Sequence, residues 1–130
     1  MASILLIEDN QQNADYVIRI LQGEGHEIDH YTRGLEGGRA ARLQRPDLIL
    51  LDFNLPDIDG SVLVLTLKKN LGGDDTPPII AVTARNSELD RQIAQKFGFA
   101  AFLGKPFEPD ELLNVVNTLL ENAAQKSSSS

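Results

Sequence analysis

The stretch Leu48-Ile49-Leu50-Leu51-Asp52 places four consecutive apolar residues directly before a carboxylate. A short apolar run without polar alternation is typical of a strand that is covered on both faces, as in a parallel sheet between two helical layers. Residues 4–7 and 79–82 form similar runs, and residues 100–103 form a weaker one. With a more polar edge strand at residues 26–31, the pattern predicts a five-stranded sheet.

Segments of helical length separate the predicted strands. We expect helices over residues 34–42 and 61–70, one capped by Ser87 and one that begins near Pro109, and the first helix has the apolar stripe Ala14, Val17, Ile18 and Leu21. The fourth helix is predicted to pack through Leu89, Ile93 and Phe97. Gly37 and Gly38 each cost the second helix roughly 1 kcal/mol relative to alanine, so we expect it to be the least stable.

Strand and helix therefore alternate five times along the chain. This order predicts a doubly wound (βα)5 parallel sheet, an α/β fold with the flavodoxin-like strand order 2-1-3-4-5. Residues 1–124 are assigned to this single domain. Residues 125–130 consist of Gln125, Lys126 and four serines, and this composition predicts a disordered tail or a linker.

Composition excludes several classes of protein. The formal net charge of −7 opposes direct binding to nucleic acid, and the absence of cysteine excludes disulfide scaffolds and thiol nucleophiles. The apolar run at residues 4–7 is too short for a membrane span and lacks the features of a secretory signal. We expect a cytoplasmic protein that does not interact with membranes.

Chemically active side chains follow the predicted strands. Glu8 and Asp9 come after the first strand and Asp52 after the third, Thr83 ends the fourth, and Lys105 follows the fifth. In an open α/β sheet these positions meet at one edge, where clustered carboxylates favour Mg²⁺ or, by the same chemistry, Mn²⁺. Lysine and threonine donors beside them suit phosphoryl transfer to Asp52 as the nucleophile.

These motifs, taken together, resemble the receiver domain of bacterial two-component response regulators. The motifs that carry the resemblance are Leu6-Ile7-Glu8-Asp9-Asn10, Pro46-Asp47-Leu48-Ile49-Leu50-Leu51-Asp52, Leu55-Pro56-Asp57-Ile58-Asp59-Gly60, Ala81-Val82-Thr83-Ala84 and Phe102-Leu103-Gly104-Lys105-Pro106-Phe107. They span nearly the whole chain, from about residue 2 to residue 124.

The resemblance implies a specific set of roles around the metal. Asp52 would be the phosphoacceptor and Asp9 a direct Mg²⁺ ligand, whereas Glu8 would bind the metal through water. The backbone carbonyl of Asn54 would complete the protein ligands. The bond between Lys105 and Pro106 would be cis and would turn the lysine toward the site.

The resemblance also implies a switch and its partners. A sensor histidine kinase or a phosphotransfer protein would supply the phosphoryl group, and the chain would catalyse only its own phosphorylation and dephosphorylation. Thr83 would move toward the phosphoryl group and Phe102 would turn inward. An output protein or domain would then read the face formed by the fourth helix, fifth strand and fifth helix. Asn54 and Arg85, each two residues beyond a site residue, are predicted to set the lifetime of the phosphorylated state.

Three alternatives remain open from the sequence. A binding module of the same fold that is never phosphorylated is the first. A haloacid-dehalogenase-like phosphatase would need Asp-x-Asp-x-Thr, whereas residues 52–56 read Asp-Phe-Asn-Leu-Pro. A flavin carrier would need a Ser/Thr-Gly phosphate loop where Glu8 and Asp9 stand. His26 and His30 are interpreted as ordinary edge-strand residues. The kinase, signal, output pathway, oligomeric state and phosphorylation lifetime are not encoded in any motif of the sequence.

Overall fold

The computed structural model describes the backbone of residues 2–128, with the side chains in that range other than those of residues 74 and 125–128. Strands and helices alternate along this part of the chain. In chain order they are β1 (Ser3–Ile7), α1 (Gln11–Gln22), β2 (Glu27–Tyr31), α2 (Gly34–Gln44), β3 (Leu48–Leu51), α3 (Gly60–Asn70), β4 (Ile79–Thr83), α4 (Glu88–Phe97), β5 (Ala101–Gly104) and α5 (Pro109–Ser128), with a 3₁₀ turn at Gly73–Asp75.

The five strands form one parallel sheet in the order β2-β1-β3-β4-β5, which confirms the predicted doubly wound fold. The register aligns the strand ends that carry the chemistry. Ile7 pairs with Leu51, so Glu8 and Asp52 are the next residues on neighbouring strands. Thr83 pairs with Gly104, so Lys105 lies immediately beyond the end of β5, beside the end of β4.

Apolar residues alternate between the two faces of the sheet, and both faces are covered. On one face Leu5 and Ile7 join a core with α2, α3 and α4, whereas on the other Ile4 and Leu6 join a core with α1 and α5. All four of these side chains are buried. The unbroken apolar runs of the sequence thus reflect strands that lie between two helical layers.

Gly37 in α2 is explained by close packing against the sheet. A Cβ atom built on this residue would lie 2.6 Å from Cδ1 of Ile7. Gly38 faces more open space, because the nearest atom to its Cβ would be Cδ1 of Leu63 at 3.4 Å. The first glycine therefore lets α2 approach β1 closely, at the cost to helix propensity that the sequence predicts.

The predicted packing face of α4 is wrong at Leu89, whose exposed fraction is 64%. Ala94 is the buried residue of this helix, with Phe97 partly buried against the same core. The helix packs through its C-terminal half, so an apolar residue in its first turn remains at the surface. A period of 3.6 residues identifies a helix face but does not show how far that face is covered.

The structure extends α5 to Ser128, whereas we expected a disordered tail or linker from residue 125. Loss of apolar periodicity marks the end of the packing face and does not by itself end a helix. Alanine, glutamine and lysine, which occupy residues 123–126, all have high helix propensity. Residues 129–130 lie outside the described residues, and the domain boundary at residue 124 stays a prediction.

Candidate functional site

Three carboxylates converge at the carboxyl edge of the sheet. Glu8 and Asp9 follow β1, Asp52 follows β3, and each offers an oxygen that lies within 4.8 Å of those of the other two. Glu8 and Asp52 are buried, with exposed fractions of 2% and 5%, whereas Asp9 is exposed. The cluster therefore has two carboxylates inside the pocket and one at its mouth.

Lys105 reaches this cluster from the loop between β5 and α5. Its Nζ atom donates to Oε1 of Glu8 and, at 3.0 Å, to Oδ2 of Asp52. Burial opposes the charge of the ammonium group, but the two carboxylates outweigh burial and raise the pKa of Lys105. The peptide bond between Lys105 and Pro106 is cis, as the resemblance implies.

The buried carboxyl group of Glu8 has a raised pKa. Burial, reinforced by the charge of Asp52, raises the pKa of Glu8 to about 7, although the hydrogen bond from Lys105 acts in the opposite direction. A further cation that enters the pocket would therefore stabilise the ionised form of this carboxyl group.

Main-chain groups fix the orientation of both buried carboxylates. The Asn10 amide donates to Oε2 of Glu8 at 3.1 Å, and the Asn54 amide donates to Oδ1 of Asp52 at 3.1 Å. His30, which sequence reasoning assigned to an ordinary edge strand, lies 2.7 Å through Nε2 from the carbonyl oxygen of Glu8. The strand register pairs Leu6 with His30, and this pairing places the histidine near the site.

Thr83 lies at the end of β4, next to the strand that precedes Asp52, and its side chain is fully buried. Its Oγ1 atom accepts a hydrogen bond from the Arg85 amide at 3.2 Å.

The loop after β3 is closed by Gly60, whose amide donates to the Phe53 carbonyl at 2.7 Å. A Cβ atom at Gly60 would lie 2.0 Å from the carbonyl oxygen of Asp52, so only glycine fits there.

Two predicted residues, Arg85 and Phe102, lie beside the pocket rather than among its carboxylates. Nη1 of Arg85 donates to Oδ2 of Asp59 at 2.8 Å, and Nη2 lies 3.4 Å from Oδ1 of Asp90. The half-buried Phe102 ring packs edge-on against Phe53, with 6.0 Å between centroids. Sequence reasoning missed both acidic partners of Arg85, because their contact depends on two loops meeting in space.

The donor set fits a hard divalent cation. The three carboxylates offer only oxygen ligands, and Mg²⁺ prefers such ligands while it retains several waters. The exposure of Asp9 leaves the mouth of the cluster open to solvent. The proposed ligand role of the Asn54 carbonyl stays a prediction, as do the individual roles assigned to the other residues.

Residues 4–117 match the family model of the response regulator receiver domain. The chain belongs to this family. Receiver domains of response regulators are phosphoacceptor signalling domains, so the predicted functional class is confirmed. The family match decides against haloacid-dehalogenase-like phosphatases and flavin carriers.

Curated relatives cover nearly all of this receiver domain. It is 37% identical over 128 residues to the transcriptional regulatory protein CreB of Escherichia coli, which covers 98% of this chain and 55% of CreB. It is 32% identical over 124 residues to the polar-differentiation response regulator DivK of Brucella anthropi, which covers 93% of this chain and 98% of DivK. The chain thus spans about half the length of CreB and also of CssR from Bacillus subtilis, at 51% of the latter.

Solved structures give the same assignment. The receiver domain of the sensor histidine kinase PA1611 from Pseudomonas aeruginosa has a TM-score of 0.84 and 32% identity over 92% of this chain and 98% of that one. That structure has a magnesium ion coordinated in its active-site cleft. A CheY-like response regulator receiver domain from Methanospirillum hungatei has a TM-score of 0.89 and 26% identity, covering 97% of this chain and 98% of that one.

Proposed function

We propose that Asp52 accepts a phosphoryl group from a phosphohistidine of a sensor histidine kinase or a phosphotransfer protein. The observation that carries this proposal is the pair of contacts from Lys105 to Glu8 and Asp52 beside the exposed Asp9. A reactive carboxylate, further oxygen ligands and a cationic donor within one pocket are the parts that phosphoryl transfer requires.

In this proposal an oxygen of Asp52 attacks the phosphorus atom while the bond from phosphorus to the histidine nitrogen breaks. The electron pair of the broken bond stays on the imidazole, which takes up a proton. Lys105 donates to a phosphoryl oxygen, and the buried hydroxyl of Thr83 donates to another. Thr83 ends β4, the strand next to β3, and Lys105 follows β5, the strand next to β4. Both donors therefore approach the transferred group from the β5 side of Asp52.

Glu8, Asp9, Asp52 and the Asn54 carbonyl would hold Mg²⁺, or Mn²⁺ in its place. When bound, the divalent ion supplies positive charge that offsets the charge of the phosphoryl oxygens. The cleft of the PA1611 receiver domain, with its magnesium ion, supports this choice of metal. The activity of this chain would be confined to its own phosphorylation and dephosphorylation.

Output would pass through the face of α4, β5 and α5. Thr83 would shift toward the phosphoryl group, and Phe102, whose ring packs on Phe53 next to the acceptor, would turn inward. An output protein or domain would bind the altered face. We further propose that Asn54 and Arg85 set the lifetime of the phosphorylated state by flanking the path of hydrolytic water.

The proposed setting is the cytoplasm, where a histidine kinase presents its phosphoryl group. Within the described residues no helix is both long enough and apolar enough to cross a membrane. The net charge of −7 disfavours direct contact between this domain and nucleic acid.

Incubation with acetyl phosphate and Mg²⁺, followed by intact-mass measurement, tests the proposal. The wild-type chain should gain a phosphoryl group, and Asp52→Asn should gain none. Asp9→Asn and Lys105→Met should lower the yield, whereas Asp75→Asn, in the turn before β4 at the opposite, amino-terminal edge of the sheet, should behave as wild type. A wild-type chain that gains no phosphoryl group from acetyl phosphate or from any histidine kinase would indicate a binding module of the same fold.

A further inference from the structure

Arg85 joins two loops beside the acceptor. Its guanidinium group donates to Asp59 at 2.8 Å and lies 3.4 Å from Asp90, and its central carbon is 5.1 Å from the centroid of the Phe53 ring. Its side chain is 34% exposed and therefore lies at the rim of the domain, where these three contacts hold it. The residue after the acceptor thus touches an arginine that is engaged in two ion pairs.

The two acidic partners belong to different helices, Asp59 to the start of α3 and Asp90 to α4. Asp59 caps α3, where its Oδ1 atom accepts from the Ser61 amide at 2.9 Å and from the Ser61 hydroxyl at 2.6 Å, which leaves Oδ2 for Arg85. Asp90 lies in the first turn of α4, where it completes a capping box with Ser87. Displacement of the loop between β4 and α4 would carry Asp90 along with Arg85, but it would leave Asp59 behind.

The same loop carries the hydroxyl that phosphorylation would recruit. Because the Arg85 amide donates to Oγ1 of Thr83 at 3.2 Å, the two residues are joined through the short turn that ends β4. A phosphoryl group on Asp52 would attract the Thr83 hydroxyl. Movement of Thr83 toward Asp52 would therefore shift Arg85 relative to Asp59, which is anchored to the start of α3 through Ser61.

We propose that Arg85 is a positioning residue that holds the loop between β4 and α4 in the unphosphorylated arrangement through its ion pair with Asp59. The inference rests on the proposed function of Asp52. Loss of the ion pair should favour the phosphorylated arrangement by about two- to fivefold, the range that a partly exposed ion pair supports. The contact with Asp90 should have no such effect, since both partners lie on the same moving segment.

The test is a titration of the full chain with beryllofluoride, an analogue of the phosphoryl group, in excess Mg²⁺ at low ionic strength. Arg85→Met, which keeps an apolar contact with Phe53, and Asp59→Asn, which keeps a helix cap, should each bind beryllofluoride about two- to fivefold more tightly than wild type. Asp90→Asn and the exposed control Arg39→Met should bind as wild type does. Added salt should narrow the difference between wild type and the first two variants.

Thermal unfolding of the free chain provides the second readout. Arg85→Met and Asp59→Asn should unfold at a slightly lower temperature than wild type while they bind the analogue more tightly. A purely structural role would lower both stability and affinity, and that result, unchanged affinity, or an equal gain in Asp90→Asn would overturn the inference. If wild type binds no beryllofluoride at Asp52, the proposed function fails first and the inference with it.

Discussion

The guanidinium carbon of Arg91 lies 4.7 Å from the centroid of the Phe102 ring. The ring is therefore placed between a cation on α4 and the buried ring of Phe53, whose centroid is 6.0 Å away. This arrangement joins the surface of α4 to Phe53, the residue that follows Asp52. It makes Arg91 a contributor to the position of Phe102, the residue to which we assign the inward turn.

Replacement of Arg91 by glutamine should lower the free energy of unfolding by about 0.5–1 kcal/mol, the contribution expected of an exposed cation–π contact. Urea denaturation of Arg91→Gln beside the exposed control Arg39→Gln measures this loss. In a Phe102→Leu background the same replacement should have no effect, because the ring is gone. An equal loss in both backgrounds would assign the effect to something other than the ring.

The two glycines of α2 should respond to alanine with opposite signs. Gly37→Ala should destabilise the domain by about 1–3 kcal/mol, since the added methyl group would overlap Ile7 in a packed core. Gly38→Ala should stabilise it by about 0.5–1 kcal/mol through helix propensity, because ordinary van der Waals distance is available. Urea denaturation of both variants, each the control of the other, decides the matter. Two changes of the same sign would contradict the packing described for α2.

Removal of the Lys105 charge should separate metal binding from phosphoryl transfer. Lys105→Met should bind Mg²⁺ more tightly, because a competing cation leaves Glu8 and Asp52. Phosphorylation by acetyl phosphate should slow by about 10²-fold or more, since a preorganised donor to the phosphoryl oxygens is lost.

Isothermal titration calorimetry and the rate of adduct formation measure these two effects, with Lys69→Met on the exposed side of α3 as the control. A Lys105→Met chain with wild-type transfer rate would remove the lysine from its proposed role.

Magnesium affinity should rise with pH through neutrality. In the metal-free domain the pKa of Glu8 is raised to about 7, so below that pH the carboxyl group holds a proton that must leave when the metal binds. From pH 8 to pH 6 the affinity should fall by roughly tenfold, the ratio set by the deprotonated fraction. Calorimetry in buffers of different ionisation enthalpy should detect the released proton. In Glu8→Gln this dependence should be flat, and a sloping profile there would place the titrating group elsewhere.

The sequence predicts the features of this domain that arise within a segment or from the order of segments. The apolar run before Asp52 requires a strand covered on both faces, and the alternation of strands and helices brings Glu8, Asp52 and Lys105 to one edge. The stripe of α1 is also correct, with Ala14, Val17 and Leu21 buried and Ile18 partly buried against the same core. In each case the spacing of apolar residues or the order of segments along the chain is enough to predict the structural feature.

Contacts between distant loops were not predictable in this way. The N-terminus of α2 has no side-chain cap from Arg33, and its free amides at Gly34 and Leu35 donate instead to Asp57, at 2.8 and 2.9 Å. The ion pair of Arg85 with Asp59 is similar, since its partners are 26 residues apart. Such contacts depend on how two loops meet after the sheet has formed, and no local pattern specifies that distance.

Gly60 illustrates how strictly an unreactive position can be constrained. A methyl group at this residue would collide with the main chain of Asp52 rather than with a side chain that can rotate away. Codon-by-codon randomisation of the gene would therefore rank position 60 with the acidic pocket among the sites that tolerate no replacement. Intolerance to substitution alone would then suggest a catalytic role for position 60, whereas its cause is the lack of space for any side chain.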